Sequence, residues 1–209
     1  MLSQTFEEPL FRVHIATVGR NESLDTTLAQ EPFKFKQPIF AEQIHSNSIG
    51  LITEPNTQTY RAVDGLISNY PSHCLVIRHA DCLPIVFWHP DGYFGALHAG
   101  RKSTEHKIVG AALEIIARET EVENISRFWF GPAICQPCYQ IEKSSDTHYN
   151  LVRENRQQLE KFFHSRNLNS PTITMTDQCT SCGTDSFYSY RADGPGKPMN
   201  YSVVTLQTH

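Results

Sequence analysis

His45, Cys82 and His98 are the side chains of this sequence best suited to reactive chemistry, and each falls beside an expected strand end. Two imidazoles and a thiolate make a three-ligand set for zinc, with one position left for water or substrate. Zinc there lowers the pKa of bound water towards about 7, so hydroxide forms at neutral pH. Without a metal the same groups suit another mechanism, in which a histidine draws the proton from Cys82 and the thiolate attacks an acyl carbon. A third reading keeps all three as structural residues, and their spacing does not decide.

Other residues extend this set. Arg101 and Lys102 follow His98-Ala99-Gly100 just before an expected helix, where unpaired N–H groups and two cations suit an anion. Asp64 and Asp81 are candidates to orient a histidine or move a proton, or simply to cap turns. Gln43 offers an amide that could orient His45 or touch substrate. Between Asp177 and Asn200 the rings of Phe187, Tyr188 and Tyr190 could hold a purine, and Arg191 could meet a phosphate or carboxylate. The plainer alternative for that segment is a terminal hairpin with its rings packed on a sheet. His79 and His89 are further metal-ligand candidates, for which peripheral roles are preferred.

Cys135-Gln136-Pro137-Cys138 and Cys179-Thr180-Ser181-Cys182 each have the inner spacing of metal ligands, and together would complete a tetrahedral site. The 40 residues between them include an expected long helix, so the pairs do not read as a compact ribbon. Packing or turn roles are favoured over a four-cysteine site or a redox pair.

The elements that must position these groups follow from periodicity. Strands are expected at 11–18, near 39–41, at 48–53, 74–77, 85–88, 93–100, 125–130, 172–176 and 203–206, with a turn at Glu54-Pro55-Asn56. A helix is expected over 105–119, capped by Ser103 or Thr104, and a second over about 146–164. Asp64-Gly65 lies in an apolar neighbourhood, where the backbone must turn sharply or pass close to something.

The chain has 209 residues, 39% hydrophobic and 19% charged, enough for one filled core, and one domain spanning 1–209 is expected. A formal charge of -4 with no basic run argues against nucleic acid as a partner. No stretch approaches the roughly 20 apolar residues of a membrane span, and the first residues lack a secretory pattern, so no membrane partner and a cytoplasmic location are expected. Six cysteines in that setting read as thiols or metal ligands rather than disulfides.

The ordered blocks Gln43-Ile44-His45-Ser46, Val63-Asp64-Gly65-Leu66-Ile67, Ala80-Asp81-Cys82-Leu83-Pro84, His98-Ala99-Gly100, Gly131-Pro132-Ala133-Ile134 and Cys179 through Gly194 resemble the YfiH-type family. That family is also called laccase-domain or multicopper polyphenol oxidase proteins, and purine nucleoside phosphorylases. The resemblance implies an α/β (α+β) fold, a four-layer α/β/β/α sandwich with mixed sheets. It also implies zinc held by His45, Cys82 and His98, phosphorolysis of purine nucleosides including methylthioadenosine, and adenosine deamination. Nucleoside and phosphate are then the partners, and a monomer is left open. Copper is disfavoured because the sequence lacks dense His-X-His motifs. Within the resemblance, Asp81 or Asp64 is the expected proton carrier, and Gln43, Arg101, Lys102, Tyr190 and Arg191 the substrate contacts. Two blocks depart from the family pattern: Arg101-Lys102-Ser103 replaces its Trp-Arg-Gly, and Ala192 its second arginine. A cysteine hydrolase and a non-catalytic metal-stabilised binding module are the rival readings.

Overall fold

The computed structural model describes residues 1–55, 58–121, 127–142, 144–182 and 185–209. Strand β7 (His73–His79) shows how its layers arise: Leu75 and Ile77 point to one side and Cys74 and Val76 to the other, all of them buried. A strand buried on both faces belongs in the middle of a sandwich.

Two six-stranded sheets result. The first runs β1 (Leu2–Glu7), β2 (Phe11–Val18), β12 (Asn200–Thr208), β7, β3 (Gln37–Ala41), β5 (Thr59–Tyr60). The second runs β11 (Thr172–Met175), β10 (Arg127–Phe130), β8 (Leu83–Trp88), β9 (Phe94–Ala99), β6 (Gly65–Ser68), β4 (Ile49–Leu51). Both mix parallel and antiparallel pairs.

Leu75, Ile77, Val13 and Val204 of the first sheet meet Leu66, Val86, Trp88 and Trp129 of the second in the central core. On the far side of the second sheet, Ile85, Phe87 and Leu97 are covered by α3 (Ile108–Glu119) and α4 (Leu151–Ser165). On the far side of the first, Cys74, Val76 and Val203 are covered by Phe33 and by Leu24 and Leu28 of α1 (Leu24–Leu28). The expected α/β/β/α sandwich with mixed sheets is therefore the fold.

Several boundaries differ from the sequence expectation. The helix expected over 105–119 is two helices, α2 (Arg101–Glu105) and α3, broken where Lys107 takes the left-handed conformation at φ 63°. Ser103 and Thr104 are not its caps but lie inside α2, where Asn155 Nδ2 donates to Thr104 Oγ1 (2.9 Å) and Gln158 Nε2 to the Thr104 carbonyl (2.7 Å). The second helix starts at Leu151 rather than near 146, because Asn150 caps it by accepting from the Arg153 N–H. β1 is an unforeseen edge strand, and the described residues of 177–199 form no hairpin but carry a one-turn helix, α5 (Tyr190–Asp193). Ile125 at the expected start of β10, and Asn56 of the expected turn, lie outside the described residues. Among the described residues, no helix is long and apolar enough to cross a membrane.

Candidate active site and metal centre

Strand direction collects the site. β3, β5 and β7 run parallel in the first sheet, so all three end on the same side. Each continues directly into the second sheet, as β4, β6 and β8. The three crossings carry His45, Asp64, and Asp81 with Cys82. β9 runs antiparallel to β6 and β8, and so delivers His98 to the same end. β10 and β12 are antiparallel to β8 and β7, which brings Tyr139 after β10 and Tyr190 and Arg191 before β12 to that end as well.

The ligand atoms of His45, Cys82 and His98 all lie within 4.8 Å of one another. His98 Nδ1 is 2.8 Å from Asp64 Oδ1, which leaves Nε2 for the cluster. Asp64 is fully buried and also accepts the N–H groups of Ile44, His45 and Ser46 and the Ser46 hydroxyl. These bonds hold the loop at His45, whose φ of 61° is costly for a side chain with a Cβ. Burial opposes ionisation of Asp64, but the His98 and Ser46 hydrogen bonds outweigh it and hold the carboxyl at about 2. A carboxylate so heavily bonded is suited to positioning His98 and the His45 loop, one of the roles the sequence leaves open for Asp64.

Asp81, at φ 80°, is fixed by Thr180 Oγ1 on Oδ1 (2.8 Å), the Arg191 N–H on Oδ2 (2.7 Å) and the Ile134 N–H on its carbonyl (2.9 Å). Burial works against the Cys82 thiolate, but the charge of His98 and hydrogen bonds from both histidines hold the thiol down at about 6. Burial likewise works against a charged His98, yet Cys82 and Asp64 raise it to about 9. Gly100 makes this packing feasible, since a Cβ there would sit 2.8 Å from Cys82 Sγ and 3.1 Å from His45 Cδ2.

The trio faces a cleft of about 550 Å³. Of the residues singled out in the sequence, the cleft also gathers Gln43, Asp81, Arg101, Lys102, Tyr190 and Arg191. Gln43 does not orient His45: both ends of its amide are bonded to the Arg78 backbone, at 2.7 and 2.9 Å. Arg101 is paired with Glu105 at 3.0 Å, and Arg191 lies over the Tyr139 ring, 5.6 Å from its centroid.

Sequence reasoning missed Tyr139 and Arg78 as wall residues. Only the position of Tyr139 directly after Cys138 hinted at a role. His79 and His89 stay outside the cluster. His79 bonds Ser202 Oγ, and its burial lowers its pKa to about 3, while His89 bonds the Glu121 carbonyl.

A family model described as multi-copper polyphenol oxidoreductase laccase matches residues 16–206. The chain belongs to this laccase-domain family. A purine nucleoside phosphorylase of Campylobacter jejuni is 31% identical over 180 residues, covering 81% of this chain and 77% of its own. One of Haemophilus influenzae is 28% identical over 198 residues, covering 84% and 79%. The crystal structure of a Bacillus licheniformis YfiH hypothetical protein superposes with a TM-score of 0.79 at 20% identity, over 96% of this chain and 98% of that one, a likeness of fold.

This laccase-domain chain is an enzyme of the YfiH-type superfamily with a Cys/His cluster able to hold a metal. The expectation of zinc is corrected. The family description names copper, and two imidazoles with one thiolate form a donor set that copper takes, so the findings point to a copper-type site. The donor chemistry fits a metal: three atoms within reach of one ion, a lowered thiol, and a histidine whose other nitrogen is anchored on a carboxylate.

Proposed function

We propose that this chain cleaves the N-glycosidic bond of purine nucleosides with phosphate. One observation carries the reading: a single cleft holds the Cys/His cluster, the cations of Arg78, Arg101, Lys102 and Arg191, and the rings of Tyr139 and Tyr190. The cations suit a phosphate and the tyrosines a purine. The names of the Campylobacter and Haemophilus relatives favour the same substrate class.

In this reaction a phosphate oxygen bonds to the sugar C1′ as the bond from C1′ to the purine nitrogen breaks. A proton must reach the departing base. Asp81, at the cleft floor, is the carboxyl group of this chain placed to pass it, and the cleft cations hold phosphate against its own charge repulsion. His45, Cys82 and His98 would hold a metal, which would supply a Lewis acid to the site. Asp64 keeps His98 in the tautomer and orientation that such binding needs.

The deciding experiment follows base and ammonia release from inosine and adenosine, with and without phosphate, alongside metal content. Phosphate-dependent base release that disappears when the metal is removed supports phosphorolysis, and ammonia release from adenosine adds deamination. Base release indifferent to phosphate sinks the reading. The lowered Cys82 thiol beside a charged His98 favours one rival, a cysteine hydrolase, and that rival requires metal-free turnover with a covalent adduct on Cys82.

A further inference from the structure

Outside the cleft, Cys135, Cys138, Cys179 and Cys182 come together with all four sulfurs within 4.8 Å of one another. The long helix that separates the pairs in sequence is what unites them in space. β10, α4 and β11 form a crossover in which β11 returns parallel to β10, so both strands end at the same edge. Cys135 follows the end of β10 at Phe130 by five residues, and Cys179 follows the end of β11 at Met175 by four. A parallel bridge between Ala133 and Cys179, with the Thr180 N–H on the Ala133 carbonyl (3.1 Å), locks the two loops side by side. The packing and turn roles favoured by sequence alone therefore give way to a cluster.

Three features of the cluster match a tetrathiolate metal site. Cys135 Sγ and Cys182 Sγ are 3.8 Å apart, and tetrahedral bonds of about 2.3 Å put sulfurs about 3.8 Å apart. Cys179 Sγ accepts the N–H groups of Cys135 (3.2 Å), Ser181 (3.3 Å) and Cys182 (3.3 Å), which stabilises charge on sulfur. The first pair sits on a 3-10 turn over Gln136–Cys138, and the second is closed by the Cys182 N–H on Cys179 Sγ, so that the thiols of each pair come together. None of the four is in a disulfide.

We infer that these four cysteines bind one divalent, thiophilic metal ion of tetrahedral preference, separate from the Cys/His trio. On binding, four sulfur–metal bonds form as the four thiol protons leave to solvent, and no electrons are exchanged. The site is a clamp. Cys138 is followed directly by Tyr139 of the cleft wall, and Cys179 by Thr180, whose hydroxyl holds Asp81. The ion fastens the wall and floor of the cleft to each other, whatever reaction the cleft performs.

Cobalt(II), added under reducing, oxygen-free conditions to the chelator-treated full chain, is the probe. The wild type, Cys82→Ser, and the paired variant Cys135→Ser with Cys182→Ser are compared by cobalt uptake and visible absorption. The expected result is that the intense bands of tetrathiolate cobalt persist in Cys82→Ser and vanish in the paired variant, which takes up about one ion less per chain than wild type. Should the paired variant fail to fold, alkylation of the wild type decides: cobalt must shield these four thiols from iodoacetamide, and a chelator must expose them again. Bands unchanged by the paired substitution, unshielded thiols in the cobalt-loaded wild type, or disulfides among the four in protein isolated without reductant would overturn the inference. Loss of metal from the trio alone, with these bands intact, would count against the proposed function and leave the clamp standing.

Discussion

Asp64 Oδ1 stands 2.8 Å from His98 Nδ1 while the same carboxylate accepts three successive backbone N–H groups from 44–46. One buried charge thus fixes both histidines of the trio, the first through its main chain and the second through its ring. Its folded pKa of about 2 lies below the ordinary 3.8, so its contribution to stability is complete above the ordinary value and is lost as pH falls through about 2. Asp64→Asn is expected to cost about 2 kcal/mol at neutral pH and to flatten the loss of stability between about pH 4 and 2. Urea unfolding over that pH range measures both. An unchanged acid limb in the variant would show that Asp64 is not the group responsible.

Gly100 has a φ of -74°, which any residue adopts, so its substitution tests space and not backbone strain. Gly100→Ala places a methyl against Cys82 Sγ and His45. An overpacking cost of about 1 to 3 kcal/mol at the cluster lowers metal affinity by about 5- to 150-fold with the fold retained. Metal titration beside circular dichroism checks this, and undiminished affinity would mean that the three side chains do not close on one ion.

The metal-free Cys82 thiol, held at about 6 against an ordinary 9.0, is expected to react with iodoacetamide at a rate that rises through pH 6 and is then flat at neutral pH. His98→Ala removes the largest of the influences favouring the thiolate and moves that rise upward. Mass spectrometry of Cys82 alkylation against pH reads the midpoint, and a midpoint near 9 in the wild type would contradict the pairing.

Asp81 combines a left-handed backbone with two side-chain anchors. Asp81→Gly keeps the backbone and loses the anchors, whereas Asp81→Ala loses both, so the alanine variant should be the less stable by about 1 kcal/mol. Thr180→Val removes one anchor and is expected to cost about 1 to 3 kcal/mol. If Asp81 passes a proton, kcat falls in both Asp81 variants, while Thr180→Val acts more weakly on kcat.

Arg191 and Lys102 line the cleft exposed and without an ion-pair partner among the described residues. Arg191→Ala and Lys102→Ala are expected to raise the phosphate KM about 5- to 50-fold each, more than the nucleoside KM. Phosphate titration at saturating nucleoside separates the two, and an effect on nucleoside alone would move the anion site elsewhere.

Much of this was readable in the amino acids. β7, β8 and β9 are apolar runs between turn signals, and the trio sits at their ends or at that of β3, so residue type and position pointed to His45, Cys82 and His98 together. The break at Lys107 carries no glycine or proline to announce it, and the contacts beside it, Asn155 and Gln158 on Thr104, come from another helix far along the chain. Tyr139 was hidden, and the four-cysteine site was disfavoured, for a related reason. Their neighbours are set by which strands run parallel, and β10 and β11 pair across the whole of α4. The identity of the trio's metal was not legible, since two imidazoles and a thiolate satisfy more than one ion.

Three times the chain leaves the first sheet for the second: the passages through His45 and Cys82 border the cleft, and the third sets Asp64 behind His98. The sandwich filling therefore acts as the spacer of a caliper: Trp88 and Trp129, buried between the sheets, set how far apart the jaws stand. A smaller side chain in place of either ring would leave a void between the sheets, and any closing of that void would be felt at the loops that join them.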